Sequence, residues 1–305
     1  MVARAEAISR GGRAARKGVG MQEFAGKVAV VTGAASGIGR AFCRQLAALD
    51  MKIVMADVEG GALQEEANSL QAAGHEVLAV QTDISQADSV SALAERTVEA
   101  FGTAHVLCNN AGVFAAGLSW EAPQSDYDWV FGVNVWGVLH GLRSFVPLML
   151  EHGEEAHIVN TASMAAVTTA PFTSAYYMSK AAVFSLSESL YGEMQARQAP
   201  IGVSVLCPEL VDTAIARGER NRPEHLKRKA GEGESPEREL VDAAIAAATP
   251  TGVDPTVLAD RAIEAIRENR FYVLAPEGNP WRAACDVRLE DIRLARNPTH
   301  AVPDG

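Results

Sequence analysis

A tyrosine and a lysine four positions apart, Tyr176 and Lys180, have the residue types and the spacing to move a proton. In a helix, residues i and i+4 lie on one face, which would set the Lys180 ammonium beside the Tyr176 hydroxyl. A neighbouring cation favours phenolate and lowers a pKa that starts near ~10, so Tyr176 would serve as a general acid or base close to neutral pH. Alone the pair is only suggestive: with 5 Tyr and six Lys in 305 residues, the spacing arises by chance roughly 0.1 times per chain. Tyr177 has no lysine four residues later, which leaves it core packing or a pocket wall as its role. Ser163, just beyond the apolar run AHIVNT, is placed to hydrogen-bond a substrate oxygen.

The segment Thr32-Gly33-Ala34-Ala35-Ser36-Gly37-Ile38-Gly39 follows an apolar run, and a helical pattern begins at Gly37. Backbone amides at a helix start can hold a pyrophosphate, and glycines let the chain turn sharply and approach the anion without a Cβ in the way. Gly33, Ser36, Gly37, Ile38 and Gly39 are therefore candidate contacts for a dinucleotide. A glycine-rich turn is weak evidence by itself, but between the first strand and first helix of a βαβ unit it is specific. Asp57 stands 18 residues beyond Gly39 at the end of the next apolar run, where a carboxylate can accept from both hydroxyls of an adenine ribose. A 2′-phosphate would meet that carboxylate at a cost of roughly 4 kcal/mol per charge pair at ~4 Å in an effective dielectric of ~20. NAD (NADH) is thus the expected cofactor; the competing reading has Asp57 capping a solvated turn. Arg40 is expected on the first helical turn, facing solvent or phosphate.

Positioning these groups requires a regular scaffold, and the chain supplies one. From Lys27 onward, short apolar runs (KVAVVT, KIVMAD, EVLAVQ, AHVLCN, AHIVNT, GVSVL) alternate with longer amphipathic stretches. Strands apolar on both faces, each followed by a helical pattern, describe a doubly wound α/β fold, a parallel sheet covered on both sides. No linker divides the repeat, so one domain is expected over 23–276. After Pro208 the pattern breaks into a stretch dense in charge and glycine, too polar to enter a core and long for a loop. It is read as a mobile substrate lid over 209–252, with a short helix near Leu240 to Ala248. Asp254-Pro255 then reads as a side-chain cap and first helical position of a helix running to about Glu268, followed by a seventh strand from Phe271 to Ala275. In the tail, 277–305, Trp281, Cys285, Leu289 and Ile292 recur at helical spacing, so it either docks on the domain or a neighbouring subunit or is loosely attached. The Arg-rich stretch 1–22 is expected to be a disordered leader, with a transit peptide as the alternative.

Composition narrows the function class. The formal charge of −11 disfavours nucleic acid and anionic lipid as main ligands, since each needs a basic face. Apolar runs fall far short of the ~18 residues a membrane helix needs. Cys43, Cys108, Cys207 and Cys285 lie tens of residues apart without a metal-binding spacing, which predicts no metal and fits a reducing cytoplasm.

Taken together the motifs closely resemble those of the short-chain dehydrogenase/reductase family: Thr32 to Gly39, Asn109 to Gly112, Tyr176 to Lys180, and a serine 13 residues before the tyrosine. The resemblance covers about residues 24 to 275. It implies a seven-stranded Rossmann fold and an NAD-dependent oxidoreductase interconverting a secondary alcohol and a ketone, with Asn134, Ser163, Tyr176 and Lys180 as the catalytic set. Asn134, in a helix beginning near Asp126, would hold a water on the proton path. The implied cofactor contacts, beyond the glycine-rich turn and Asp57, are Asp83 and Ile84, then Asn110, Ala111 and Gly112, then Tyr176 and Lys180. After the sixth strand come Pro208, Val211 through its backbone, and Thr213 on the nicotinamide carboxamide.

One position departs from the pattern: Glu209 replaces the glycine usual after this proline, and it either faces outward, contacts the substrate mouth or disturbs the turn. Val113, Phe114, Leu118, Met164, Val167, Phe172 and Leu210 are expected to reach the pocket or to belong to the core, and as a pocket wall they suggest a hydrophobic small-molecule alcohol or ketone. The family also implies a homotetramer built on helices over 126–151 and 174–198, where Phe184, Leu186, Leu190, Tyr191 and Met194 add apolar surface. The alternative function is a catalytically silent nucleotide-binding or scaffold protein. A serine hydrolase is disfavoured by the lack of a Gly-x-Ser-x-Gly elbow.

Overall fold

The computed structural model describes residues 20–299. Seven short apolar segments form one parallel sheet: β1 (Val28–Thr32), β2 (Lys52–Asp57), β3 (Val77–Gln81), β4 (Val106–Asn109), β5 (Ala156–Thr161), β6 (Ile201–Leu206) and β7 (Tyr272–Val273). Their order is β3-β2-β1-β4-β5-β6-β7, so the winding reverses between β1 and β4. In such sheets the crevice at the carboxyl ends of the strands is where ligands bind. Strands buried on both faces need cover on both: α1 (Gly37–Ala47), α2 (Gly60–Ala72) and α8 (Pro255–Glu268) supply Phe42, Leu46, Leu63, Leu258 and Ile266 to one core. On the other face α3 (Ala87–Phe101), α5 (Gly137–His152) and α6 (Ser174–Arg197) supply Leu93, Phe145, Met149 and Val183. Each fully buried side chain of this size contributes roughly 1.5–3 kcal/mol.

Several expectations are revised by tertiary packing. Residues 1–19, most of the expected leader, lie outside the described residues, while Met21 and Phe24 are buried against the first core, so packed structure begins before position 23. The seventh strand is paired only over Tyr272–Val273, because its partner β6 itself ends at Leu206. Leu190 and Met194, expected as outer surface on α6, are buried in the second core. Tyr191 and Phe184 pack on Phe271 and Tyr272, at 5.0 and 5.7 Å between ring centres.

The helix expected from Asp126 starts at α4 (Gln124–Phe131), passes through a wide π turn (Gly132–Trp136) and continues as α5; such a π turn is often found at functional sites. The helix expected near Leu240 is α7 (Pro236–Ala248). It starts earlier because the Ser235 hydroxyl accepts from Arg238 N and Pro236 takes the first helical position, the Ser-Pro start signal described for helix N-termini. Asp254 caps α8 through Thr256 N at 2.7 Å, as its sequence predicts. The charged stretch before α7 is not all surface: Arg222 and Arg238 are buried, because the Asp126 carboxylate meets both. The tail forms α9 (Pro280–Arg293), capped by Asn279. Its Ala284 and Cys285 are buried, and Arg288 donates to the Ala166 carbonyl at 3.0 Å, whereas Leu289 and Ile292 face solvent.

Candidate active site

The glycine-rich turn links β1 to α1 and packs on the end of β4. At Gly39 a Cβ would fall 2.0 Å from the Gly33 carbonyl oxygen, so no other residue lets the turn close this tightly. Gly37 has a φ of +51° and lies against the Thr213 methyl. Thr32 ties the two strand ends: its Oγ1 accepts from Asn110 N at 2.9 Å and Ala111 N at 3.1 Å, and the Asn110 amide donates to the Thr32 carbonyl at 3.0 Å. Asp57 is fixed by two amides, with Oδ2 accepting from Ala35 N and Oδ1 from Glu59 N, both at 3.0 Å. Asp83 accepts from Ser85 N and Oγ at 3.0 and 2.7 Å. Arg40 is exposed and takes the solvent side.

A cavity of about 800 Å³ runs along the carboxyl edge of the sheet. Its lining includes Gly33, Ser36, Gly37, Ile38 and Asp57, then Asp83, Ile84, Asn110, Ala111 and Gly112, and also Ser163, Tyr176, Lys180, Pro208, Val211 and Thr213. Gly39 shapes the turn from behind. The glycine-rich turn lining the cavity at the start of α1, the close backbone approach at Gly39, and the Asp57 carboxylate held at the end of β2 together fit a nicotinamide dinucleotide.

Tyr176 and Lys180 do lie one helical turn apart on α6, but their chemistry differs from the expectation. Lys180 is buried, donates to the Thr161 carbonyl at 3.0 Å, and has its Nζ 5.7 Å from the centre of the Tyr176 ring. Burial pulls its pKa down to about 8. Tyr176 is pushed up, not down, to about 12 by burial; a hydrogen bond with Ser163 opposes this and Tyr177 adds to it. Burial is the largest cause, and at the pH where this tyrosine would ionise a lysine with a pKa of about 8 is already neutral and offers the phenolate no charge.

Asn134 sits on the π turn behind the cavity wall. Its Oδ1 accepts from Val113 N at 2.8 Å, and its Nδ2 donates to the Val113 carbonyl at 3.0 Å and to Ser179 Oγ at 2.9 Å. The side-chain donors are thereby occupied by protein, and the residue fixes the β4 loop against α6. Ser163 Oγ accepts from Ala165 N at 3.1 Å. Tyr177 forms part of the cavity wall, as do Val113, Phe114, Met164, Phe172 and Leu210. Val167 belongs to the core, and Leu118 does not reach the cavity.

Glu209 turns inward: its side chain is buried and its Oε1 accepts from Arg261 on α8 at 2.8 Å. Together with pairing of Val211 to Val253, this holds the loop after β6. Not anticipated from sequence were Glu59, Arg220 and Asn221 in the cavity lining with Asp57, where Glu59 Oε1 accepts from Arg220 at 2.5 Å and Asn221 at 2.7 Å. Val241, Ile245 and Trp281 were also unforeseen there. Arg220, Asn221, Val241 and Ile245 belong to the stretch expected as a lid over 209–252, but which of its side chains line the cavity is decided by the tertiary fold.

Among the described residues a single group of metal-type ligands gathers, His105, His152 and Glu154, at the amino-terminal edge of the sheet. The Nδ1 atoms of both histidines accept backbone N–H groups, from Val28 and Glu154. Each Nε2 therefore carries the ring proton of the neutral imidazole and is closed to a metal.

A parallel sheet with a glycine-rich turn at its switch point, an acid ending β2 and a Ser, Tyr and Lys on one cavity defines a dinucleotide-binding oxidoreductase. Residues 27–224 match the short chain dehydrogenase family. The chain belongs to that family, and acts as an oxidoreductase on CH–OH groups. It is similar to the 1-deoxy-11-beta-hydroxypentalenate dehydrogenase of Streptomyces arenae, with 38% identity over 260 residues and 84% of each chain covered. A short-chain dehydrogenase/reductase from Burkholderia phymatum, crystallised in complex with NAD, is 47% identical with a TM-score of 0.89, covering 93% of this chain and 100% of that one. A metagenomic short-chain oxidoreductase in complex with NADP is 26% identical with a TM-score of 0.64, covering 82% and 97%. A nicotinamide cofactor is common to these structures. No helix among the described residues is long and apolar enough to cross a membrane.

Proposed function

We propose that the protein is an NAD-dependent dehydrogenase/reductase that interconverts an apolar secondary alcohol and its ketone. The observation that carries this reading is the meeting of Ser163, Tyr176 and Lys180 in one cavity that Asp57 also lines. When bound, the nicotinamide supplies the hydride acceptor or donor. Ser163 hydrogen-bonds the substrate oxygen and holds it at Tyr176, whose hydroxyl gives a proton to the ketone oxygen or takes one from the alcohol. Lys180 is held by Thr161 beside the tyrosine, where it orients the cofactor ribose, and Asn134 keeps the β4 loop in place.

The Asp57 carboxylate favours a free 2′-hydroxyl over a phosphate, while the charge of Glu59 is met by Arg220. At the substrate end the wall is apolar, with Phe114, Met164, Phe172, Leu210, Ile245 and Trp281, which suits a hydrophobic substrate with few polar groups. The reading extends to a cytoplasmic homotetramer. Trp136 and Met178 remain 52% and 54% exposed near the outer faces of α5 and α6, and isologous pairing of such faces is the commonest closure; the four free cysteines suit a reducing compartment. A panel of alcohols and ketones assayed with NAD(H) and NADP(H) tests the function: bulky apolar secondary alcohols should be turned over with NAD. NADH binding without turnover of any member would instead indicate a silent nucleotide-binding protein.

A further inference from the structure

Asp126 is 1% exposed and lies in the first turn of α4, where the helix dipole favours an anion. Three arginines from the segment 209–252 converge on it. Arg222 Nη2 and Arg228 Nε donate to Oδ1 at 2.6 and 2.7 Å, and Arg238 Nη1 donates to Oδ2 at 3.0 Å. Glu219 and Asp242 also approach these arginines, with Arg222 Nε and Arg228 Nη2 each 2.9 Å from Glu219 and Arg238 Nε 3.4 Å from Asp242. Both of those carboxylates belong to the same segment, so they cannot fasten it to the rest of the domain. Asp126 can.

The dependence is sharpest at α7. Arg238 is the buried residue of this helix, and Leu240 is 64% exposed. A surface helix is ordinarily held by an apolar stripe pressed on the core; α7 lacks one, and its side chains Val241, Ala244 and Ile245 are turned to the cavity instead. What locates them is the ion pair made one turn earlier. Arg222 adds a second tie, its guanidinium stacked 4.3 Å over Trp129 of α4, which itself lines the cavity.

We infer that Asp126 is a positioning residue that holds α7 over the substrate end of the cavity through Arg238. This rests on the reading of that cavity as an active site. Removing the carboxylate charge leaves guanidinium groups desolvated without their buried anion, so the segment moves outward toward water and the wall formed by Val241 and Ile245 goes with it. The cofactor-side residues of this segment have ties of their own, Val211 to Val253 and Arg220 and Asn221 to Glu59, and are spared.

The test uses the full-length protein and two variants, Asp126→Asn and Arg238→Gln, the second leaving Arg222 and Arg228 on Asp126. Trypsin cleavage between 222 and 238 should speed up by at least ~10-fold in each, with or without NADH, as expected when a lid is released. KM for an apolar alcohol should rise by at least ~10-fold, while kcat and the NADH dissociation constant stay within about threefold, the pattern of lost substrate binding without lost chemistry. Wild-type protease resistance and KM in Arg238→Gln would overturn the inference, even if Asp126→Asn does not fold. A parallel loss of kcat, KM and NADH binding in both variants would also overturn it, assigning the cluster to general stability. Should the wild type turn over no alcohol, the functional reading fails, while the protease comparison still decides whether Asp126 holds the segment.

Discussion

Lys180 donates to the carbonyl of Thr161 at 3.0 Å, so the lysine is held by the last residue of β5 and not by the tyrosine one turn before it. Burial at that spot favours the neutral amine and draws its pKa down to about 8 from the ordinary 10.5 of a lysine. An unfolded lysine keeps its proton to about pH 10.5, whereas the folded one releases it above about 8. Between those values the unfolded chain binds more protons, so stability rises with pH. Comparing pH 7.5 with 9.5 by urea denaturation, the cofactor-free wild type should gain about 2 kcal/mol relative to Lys180→Met. Parallel responses of the two proteins would show that Lys180 stays charged in the folded state.

Tyr176 is held protonated by burial up to about 12. It is therefore ready to give a proton near neutral pH and must be deprotonated to take one. Alcohol oxidation should accelerate as pH rises from 7 toward 10, with ketone reduction flat or falling over the same range. Tyr176→Phe keeps the ring and loses the exchanging proton: turnover should drop at least ~10²-fold in both directions with NADH affinity retained. Near-normal turnover in that variant would remove Tyr176 from the proton path.

At the adenosine end, Asp57 is oriented by Ala35 N and Glu59 N, and Glu59 is itself clasped by Arg220 and Asn221. The carboxylate cannot swing away from a 2′-phosphate without giving up both amides. Wild type should prefer NAD over NADP by at least ~10²-fold in kcat/KM, which uses only part of the repulsion of a close charge pair. Asp57→Ser should cut that preference by ~10-fold or more, chiefly by improving NADP. Equal kcat/KM for both cofactors in the wild type would contradict this role.

What could be read from the chain were features encoded in short spacings. The glycine-rich turn, the Tyr176 and Lys180 spacing and the Asp254-Pro255 helix start each lie within one or two turns of chain, where backbone geometry alone decides which atoms meet. The doubly wound parallel sheet was legible too, because strands apolar on both faces alternating with helical stretches leave few arrangements. Hidden features were those decided by partners far away. Arg222, Arg228 and Arg238 looked like solvated charges, and only the approach of Asp126, 96 to 112 positions earlier, makes their burial tolerable. Glu209 left three roles open in the chain, and only the approach of Arg261 from α8 shows it turned inward as an ion-pair partner. The lowered tyrosine pKa expected from the spacing failed for a related reason: spacing reports the distance to a cation but not the loss of water around both groups.

His157 shows the same competition on a strand. It lies in β5, wholly buried, with Nε2 2.8 Å from Ser204 Oγ, whose own proton goes to the Arg270 carbonyl at 2.7 Å. Ser204 Oγ thus accepts from the imidazole, which is neutral, and burial drives its pKa down to about 3 from 6.5. Below pH 6.5 an unfolded histidine takes up a proton that the folded one refuses until about 3, so the unfolded state gains and stability falls with pH across that window. Between pH 7 and 4.5 this single residue should cost about 2 to 3 kcal/mol. His157→Gln keeps an N–H to offer Ser204 and cannot titrate. Its stability at pH 7 should be lower through imperfect packing, yet its loss on acidification to pH 4.5, followed by urea denaturation, should be smaller than that of the wild type by that amount. Equal losses in the two proteins would mean that the folded chain accommodates the protonated imidazole and that burial at β5 is not what sets its acid limit.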